Sequence, residues 1–186
     1  MKKVFTLAAL MASFAITKAQ TGTVLVGGNV GIETNSNDQS VIEFNPFVGY
    51  QFNNNWTAGV AAKINSQKEE TSLGDEKTNI IGVGPFVRYT HNISNIFSVF
   101  GQLEGYYVSA KNKLGNSTQA EANGVAVNLF PAVFINVKNG FGLNFDFGGV
   151  TYGSIKPKGG SAENSFAFNF GKNINIGISK NFGGKK

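Results

Sequence analysis

The chain has one histidine, His91, and no cysteine. Serine nucleophiles need a base beside the hydroxyl and a third group to orient that base. Away from His91 no such set can be built. Thiol chemistry, disulfides and a lipoprotein anchor site are absent with the cysteine, and no His or Cys cluster has metal-ligand spacing. "GGNVGIE" and "GKNINIGISK" carry glycines, but not at the spacing of a phosphate loop or a dinucleotide fold. What remains is a scattered set of polar residues: Glu43, Lys63, Arg88, Gln102, Glu104, Asn144 and Asp146. Paired carboxylates can do general acid/base work. The same residues can equally form a hydrogen-bonded interior network. With no cleft or partner group evident, the network is the favoured reading.

Those residues must be held by strands, because alternation runs through the whole chain. In "FGLNFDFGG", residues 141–149, Phe141, Leu143, Phe145 and Phe147 share one face, and Gly142, Asn144, Asp146 and Gly148 the other. "SFAFNFGKNINIGISKNF", residues 165–182, repeats the pattern. The apolar face is bulky and the opposite face small and polar. A soluble sandwich would bury its bulky residues between two sheets. Here the inversion fits a barrel whose apolar face meets lipid and whose polar face lines the interior. The fold class is therefore all-β: an eight-stranded antiparallel up-and-down transmembrane β-barrel. Its strands are expected near 22–33, 41–52, 56–65, 78–90, 96–109, 122–137, 141–152 and 165–182. On this count Phe100, Phe130 and Phe134 also point inward and fill part of a narrow interior.

The connections alternate in character. Residues 53–55, 91–95 and 138–140 are short and built from Asn, Ser and Gly. Residues 34–40, 66–77, 110–121 and 153–164 are longer and polar. Short periplasmic turns and longer external loops are the pattern of an outer-membrane barrel. His91 then falls in a lower turn, at the wrong end for a surface acyltransferase or lipase. Pro46, Pro85 and Pro131 fall near the lower ends of strands two, four and six, pointing to lipid. There a missing ladder donor is tolerated or sits at a bulge. Tyr50, Phe52, Trp56, Tyr89 and Phe97 flank the lower turns and fit an aromatic girdle.

The N-terminus, "MKKVFTLAALMASFAITKAQ", has Lys2 and Lys3, an apolar run from Val4 to Ile16, and a small-x-small site at Thr17–Ala19. This reads as a cleavable signal peptide over 1–19, with the barrel domain over 20–186. Three lysines leave with it, so the formal charge of +5 falls to +2, carried by Lys185 and Lys186. The basic balance is therefore no evidence of nucleic-acid binding.

The stretches "NPFVGYQFNNNWTAGV", "LNFDFGGVTYGS" and "INIGISKNF" resemble the small outer-membrane β-barrel family of Gram-negative bacteria, of the OmpX, OmpA-barrel and OmpW type. The resemblance spans residues 20–186. It implies export through the Sec pathway to the cell outer membrane, escort by periplasmic chaperones, and insertion by the barrel-assembly machinery. It implies that Phe182, the last aromatic residue, is the assembly signal; the tail Gly183–Lys186 departs from that pattern.

Three functions fit such a chain: a structural or surface-interaction barrel with a filled interior, a narrow conduit or carrier for small molecules, hydrophobic ones among them, and a lipid-acting enzyme. Short loops and a filled interior favour the first, with the conduit as the alternative. The missing His/Ser/acid cluster argues against an enzyme. No cofactor is expected. Expected partners are outer-membrane lipid and lipopolysaccharide, with Lys68, Lys77, Lys156 and Lys158 as contacts to lipid-A phosphates, on a monomeric barrel.

Overall fold

The computed structural model describes residues 22–34, 39–71, 74–115 and 117–183. The signal segment and residues 184–186 lie outside the described residues. Eight strands follow one another: β1 (Thr23–Thr34), β2 (Gln39–Gln51), β3 (Trp56–Thr71), β4 (Gly74–Asn92), β5 (Phe97–Leu114), β6 (Ser117–Lys138), β7 (Phe141–Pro157) and β8 (Glu163–Phe182). Each pairs antiparallel with the next, and β8 pairs with β1, closing the barrel.

Local chemistry sets the three lower turns. The Asn53 side chain accepts from the backbone N–H of Asn55 and of Trp56, both at 2.9 Å, which ends β2 and starts β3 in register. Ser94 Oγ accepts from Ile96 and Phe97 in the second turn. Asn139 and Gly140 take φ of 51° and 75° in the third. Two successive left-handed residues match the twist of a tight hairpin, and Asn-Gly is the pair that adopts them most readily.

The prolines explain themselves through the ladders. β2–β3 pairing stops at Phe44↔Ile64 and resumes at Phe47↔Ala61, across Pro46. β4–β5 pairing skips from Val83↔Tyr107 to Phe86↔Glu104, across Pro85. β6–β7 pairing skips from Leu129↔Val150 to Ala132↔Asp146, across Pro131, with a register shift. Each proline nitrogen faces the strand that follows, and the ladder simply omits it there. On its other side each proline keeps its partner: Gly28, Val60 and Gly101 respectively.

The polar connections correct one expectation. Residues 66–77 and 110–121 were expected to be external loops. Most of them are strand among the described residues: β3 runs on to Thr71, β4 starts at Gly74, β5 runs on to Leu114 and β6 starts at Ser117. Polar side chains pair across these extensions: Ser66 donates to Asn79 at 3.0 Å, and Asn112 donates to Glu76 at 2.6 Å. Polarity on both faces marks a ribbon standing in water; the composition alone resembles a loop.

Below these extensions the outer surface is apolar. Val48, Val60, Ile64, Ile81, Val83, Leu103, Val127 and Ile178 are exposed there, while Ala61, Phe86, Tyr106 and Val108 pack inside. In water an exposed side chain of this size forgoes about 1.5–3 kcal/mol of burial. The belt is stable only against hydrocarbon. The mature chain should therefore fold only in detergent or lipid, and migrate differently on a gel before and after boiling. A folded monomer in plain buffer would contradict the belt.

Candidate functional site

The interior is divided by one arginine. Arg88, buried on β4, stacks its guanidinium 3.9 Å from the Phe100 ring centre, with Phe47 at 5.0 Å and Phe86 at 6.0 Å. Its Nε donates to Gln102 at 2.5 Å. Gln102 in turn donates to Glu104 at 2.6 Å, and Glu104 accepts from the Tyr106 hydroxyl at 2.9 Å. Gln102, Glu104 and Tyr106 lie two apart on β5, so the pleat stacks them along one face. Asn128, opposite Glu104 on β6, donates to the same carboxylate at 3.5 Å. Lys63 comes within 3.8 Å of Glu104 and 4.9 Å of the Tyr106 ring.

This differs from the expected belt. Glu43 does not join Lys63. Its partner is Asn65, directly opposite on β3, at 2.8 Å, and the pair is exposed. The β2–β3 register is as the Asn53 turn implies, but Glu43 is exposed and sits outside the packed layer. Asp146 also stands apart, accepting from Asn175 at 2.9 Å and from the Gly148 N–H at 3.4 Å. Asn144 pairs with Ser179 at 2.9 Å. The single network is thus four groups, and the central one runs Arg88–Gln102–Glu104 with Lys63. Sequence reading missed Tyr106 and Asn128. Tyr106 was legible as the next inward residue after Glu104; Asn128 needed the β5–β6 register.

Phe100 lies against two cavities. One, of about 220 Å³, lies above the arginine and is lined by Asn45, Lys63, Glu104 and Asp146 among others. The other, of about 90 Å³, lies below and is lined by Gln51, Thr57, Ser98 and Phe134 among others. Arg88 and Phe100 border both. Phe130 lines the upper cavity.

At the lower rim Trp56 and Tyr89 are cross-strand partners with rings 5.0 Å apart at 65°. Phe52 and Phe97 are exposed on the same outer side and Tyr50 is half-buried. Phe182 pairs with Val24 at the foot of the β1–β8 seam, with Lys180 5.9 Å over its ring. His91 is exposed at the end of β4. Among the described residues no three His, Cys, Asp or Glu side chains are grouped to hold a metal.

At the outer rim the four candidate lysines divide. Lys68 bridges Asp75 at 2.9 Å and Glu70 at 3.1 Å, which raises its ammonium above the usual lysine value, first through the Asp75 hydrogen bond. Lys158 meets Glu121 at 3.4 Å, and Lys111 meets it at 3.1 Å. Lys77 and Lys156 make no ion pair among the described residues. Lys77 lies opposite Lys68 on one side and Lys113 on the other.

Two outcomes follow. Glu104→Leu strands the Gln102 amide, the Tyr106 hydroxyl and nearby cations, and should cost about 3–5 kcal/mol, as breaking a buried charge network does. Glu43→Gln should cost under about 1 kcal/mol, as an exposed polar pair does. Urea unfolding in lipid vesicles measures both. At the rim, hydrogen bonds from Lys111, then Lys158, hold the Glu121 carboxyl below the ordinary glutamate value. A depressed carboxyl stabilises the fold above its unfolded pKa, and the gain disappears as pH falls through the folded pKa. An NMR titration should find Glu121 low, and rising toward the ordinary value in Lys111→Gln.

No protein-family model and no curated protein sequence matches the chain. Solved structures do. Neisserial surface protein A (NspA) superposes with a TM-score of 0.57 at 12% identity, covering 87% of this chain and 96% of that one. Ail, the attachment invasion locus protein of Yersinia pestis, gives 0.44 at 15% identity, covering 87% and 97%. At such identity the likeness to NspA is one of fold: this chain is an eight-stranded antiparallel β-barrel of the kind found there.

Proposed function

We propose that the chain is an integral barrel of the Gram-negative outer membrane with a surface-interaction role, closed to conduction, and that its outer rim binds lipid-A phosphates. The observation that carries this is the outward row Lys68–Lys77–Lys113 on β3, β4 and β5. Like charges directly opposite one another destabilise a sheet. Two of these three, Lys77 and Lys113, make no ion pair among the described residues, since the nearby outward acids Glu70 and Asp75 are both engaged by Lys68. An anion lying across the row would relieve the repulsion.

The height is right for a phosphate. On β4 the outward residues are apolar from Tyr89 up to Ile81, then Asn79 and Lys77. A strand tilted by about 40° climbs roughly 2.5 Å per residue. Lys77 therefore stands about 10 Å above the apolar belt, at headgroup level. Lys156, outward on β7, offers a second cation at the same rim, whereas Lys68 and Lys158 are already committed to acids. NspA is by its name a surface protein, which agrees with a role played at the rim.

An enzymatic reading has no support in the residues. The interior acid Glu104 is 6% exposed and fully engaged. The Arg88–Phe100 partition argues against a continuous pore. Insertion by the barrel-assembly machinery through Phe182, after export and chaperone escort, belongs to the same reading, as does a monomeric state.

Two measurements test it. Lys77→Gln with Lys113→Gln should cut co-purified lipopolysaccharide several-fold, while Lys68→Gln should cut it less. Equal retention by the double variant would remove the rim site. Reconstituted wild-type chain should be silent in conductance recordings, and Arg88→Ala with Phe100→Ala should open brief small currents. Steady wild-type conductance would favour the conduit instead.

A further inference from the structure

One ladder in the barrel is short. β1–β2 pairing runs unbroken from Thr23↔Gln51 to Thr34↔Ser40. β1–β8 pairing runs only from Val24↔Phe182 to Asn29↔Gly177. Above that point no ladder pair joins Val30, Gly31 or Ile32 to β8 among the described residues. β8 also shifts against its other neighbour: the β7–β8 ladder breaks between Asn175, opposite Asp146, and Phe170, opposite Gly148, and Gly171 takes a φ of 70°. Higher still, Ser165, Ala167 and Asn169 are exposed although alternation turns them inward. Among the described residues no backbone ladder closes the upper part of this seam.

The opening lies inside the apolar belt. Ile32, 74% exposed, pairs on its other side with the outward Ile42, and Ile176 with the outward Phe145. Hydrocarbon offers no hydrogen bond to an unpaired strand edge, so such an edge persists at membrane depth only where a polar cavity or a ligand serves it. Both kinds of surface meet here. Outside is a groove lined by Val26, Val30, Phe44, Phe141, Ile176 and Ile178. Inside is the upper cavity of about 220 Å³ with Asn29, Asn45, Lys63 and Asp146. The two share Gly28, Asn29 and Gly177, the residues at the end of the seam.

We propose that the open seam is a binding site for a single-chain amphiphile with a small, neutral, hydroxyl-bearing head, such as a monoacylglycerol. The chain lies in the outer groove. The head enters the upper cavity past Asn29 and hydrogen-bonds to the strand edge and the cavity amides. Neutrality follows from the lining: Lys63 and Arg88 are balanced by Glu104 and Asp146, so a charged head would arrive without a free counter-charge. One chain follows from the groove, which is bounded by one row of apolar residues on each strand. The site rests on the membrane-barrel reading but not on the lysine rim.

The test uses the folded mature chain in phospholipid vesicles with a monoacylglycerol carrying a photoactivatable group near its head, and maps adducts by mass spectrometry. Adducts are expected on Asn29, Asn45 and Lys63, as well as on belt residues such as Val48. Val30→Trp with Ile176→Trp fills the groove from outward positions. It should reduce the cavity adducts at least five-fold and leave the Val48 adducts unchanged. Excess unlabelled monoacylglycerol should compete away the cavity adducts in the unmodified chain, which keeps the test decisive if the variant fails to fold. Absent cavity adducts, or adducts that neither filling nor competition reduces, would overturn the site. Equal cavity labelling by a two-chain phospholipid probe would overturn the single-chain class. Loss of the belt adducts too would instead mean that the chain is not in the bilayer.

Discussion

Every backbone N–H and C=O that faces hydrocarbon must find its partner within the protein. The rest of the structure depends on that constraint. It forces the sheet to close on itself and sends the bulky residues outward. The narrow tube that results must then be filled from the small, polar face. The interior chain Arg88–Gln102–Glu104–Tyr106 is a consequence. Charged groups are admitted to so narrow a space only when each is answered by another, and Gln102, 1% exposed, can donate to the acid while accepting from the arginine.

The same constraint explains why the protein tolerates irregularity only in certain places. Prolines remove ladder donors, and three of the four, Pro46, Pro85 and Pro131, stand on the outer side of even strands. Pro85 lies midway up the apolar run from Tyr89 to Ile81, and so higher than the lower strand ends where they are expected from sequence. The long seam opening coincides with a polar cavity, where the edge is not left facing hydrocarbon alone. The strand extensions above the belt are freer. There water can serve any group, and the sequence uses charge and amide pairs in place of apolar ones.

Much of this could be read from residue order. Alternation with inverted polarity specified a barrel, and the Asn53, Ser94 and Asn139–Gly140 turns placed all three lower hairpins. The register across the first turn was legible because Phe52 and Trp56 bracket it, and Phe52 N–H does bond to the Trp56 carbonyl at 3.1 Å. What was not legible depended on height. Glu43 and Lys63 are near in register but differ in depth, since strands are tilted and staggered around a barrel. The outer ribbons were hidden because polar alternation carries no hydropathy signal. The short β1–β8 ladder involves the two ends of the chain, whose relative register no turn fixes.

The three proline interruptions share a position that affects how the wall can move. They fall in β2–β3, β4–β5 and β6–β7, the pairs joined by tight turns below. Of the pairs joined above, β1–β2 and β3–β4 are continuous, β5–β6 carries one bulge at Asn112/Lys113, and β7–β8 is interrupted between Asp146 and Gly148. Mechanically β1–β2, β3–β4 and β5–β6 are stiff ribbons hinged along softer joints, like the staves of a cask. Shape changes at the outer mouth can then be taken up at the joints, with the ribbons moving as units and the tight turns below acting as the hoop.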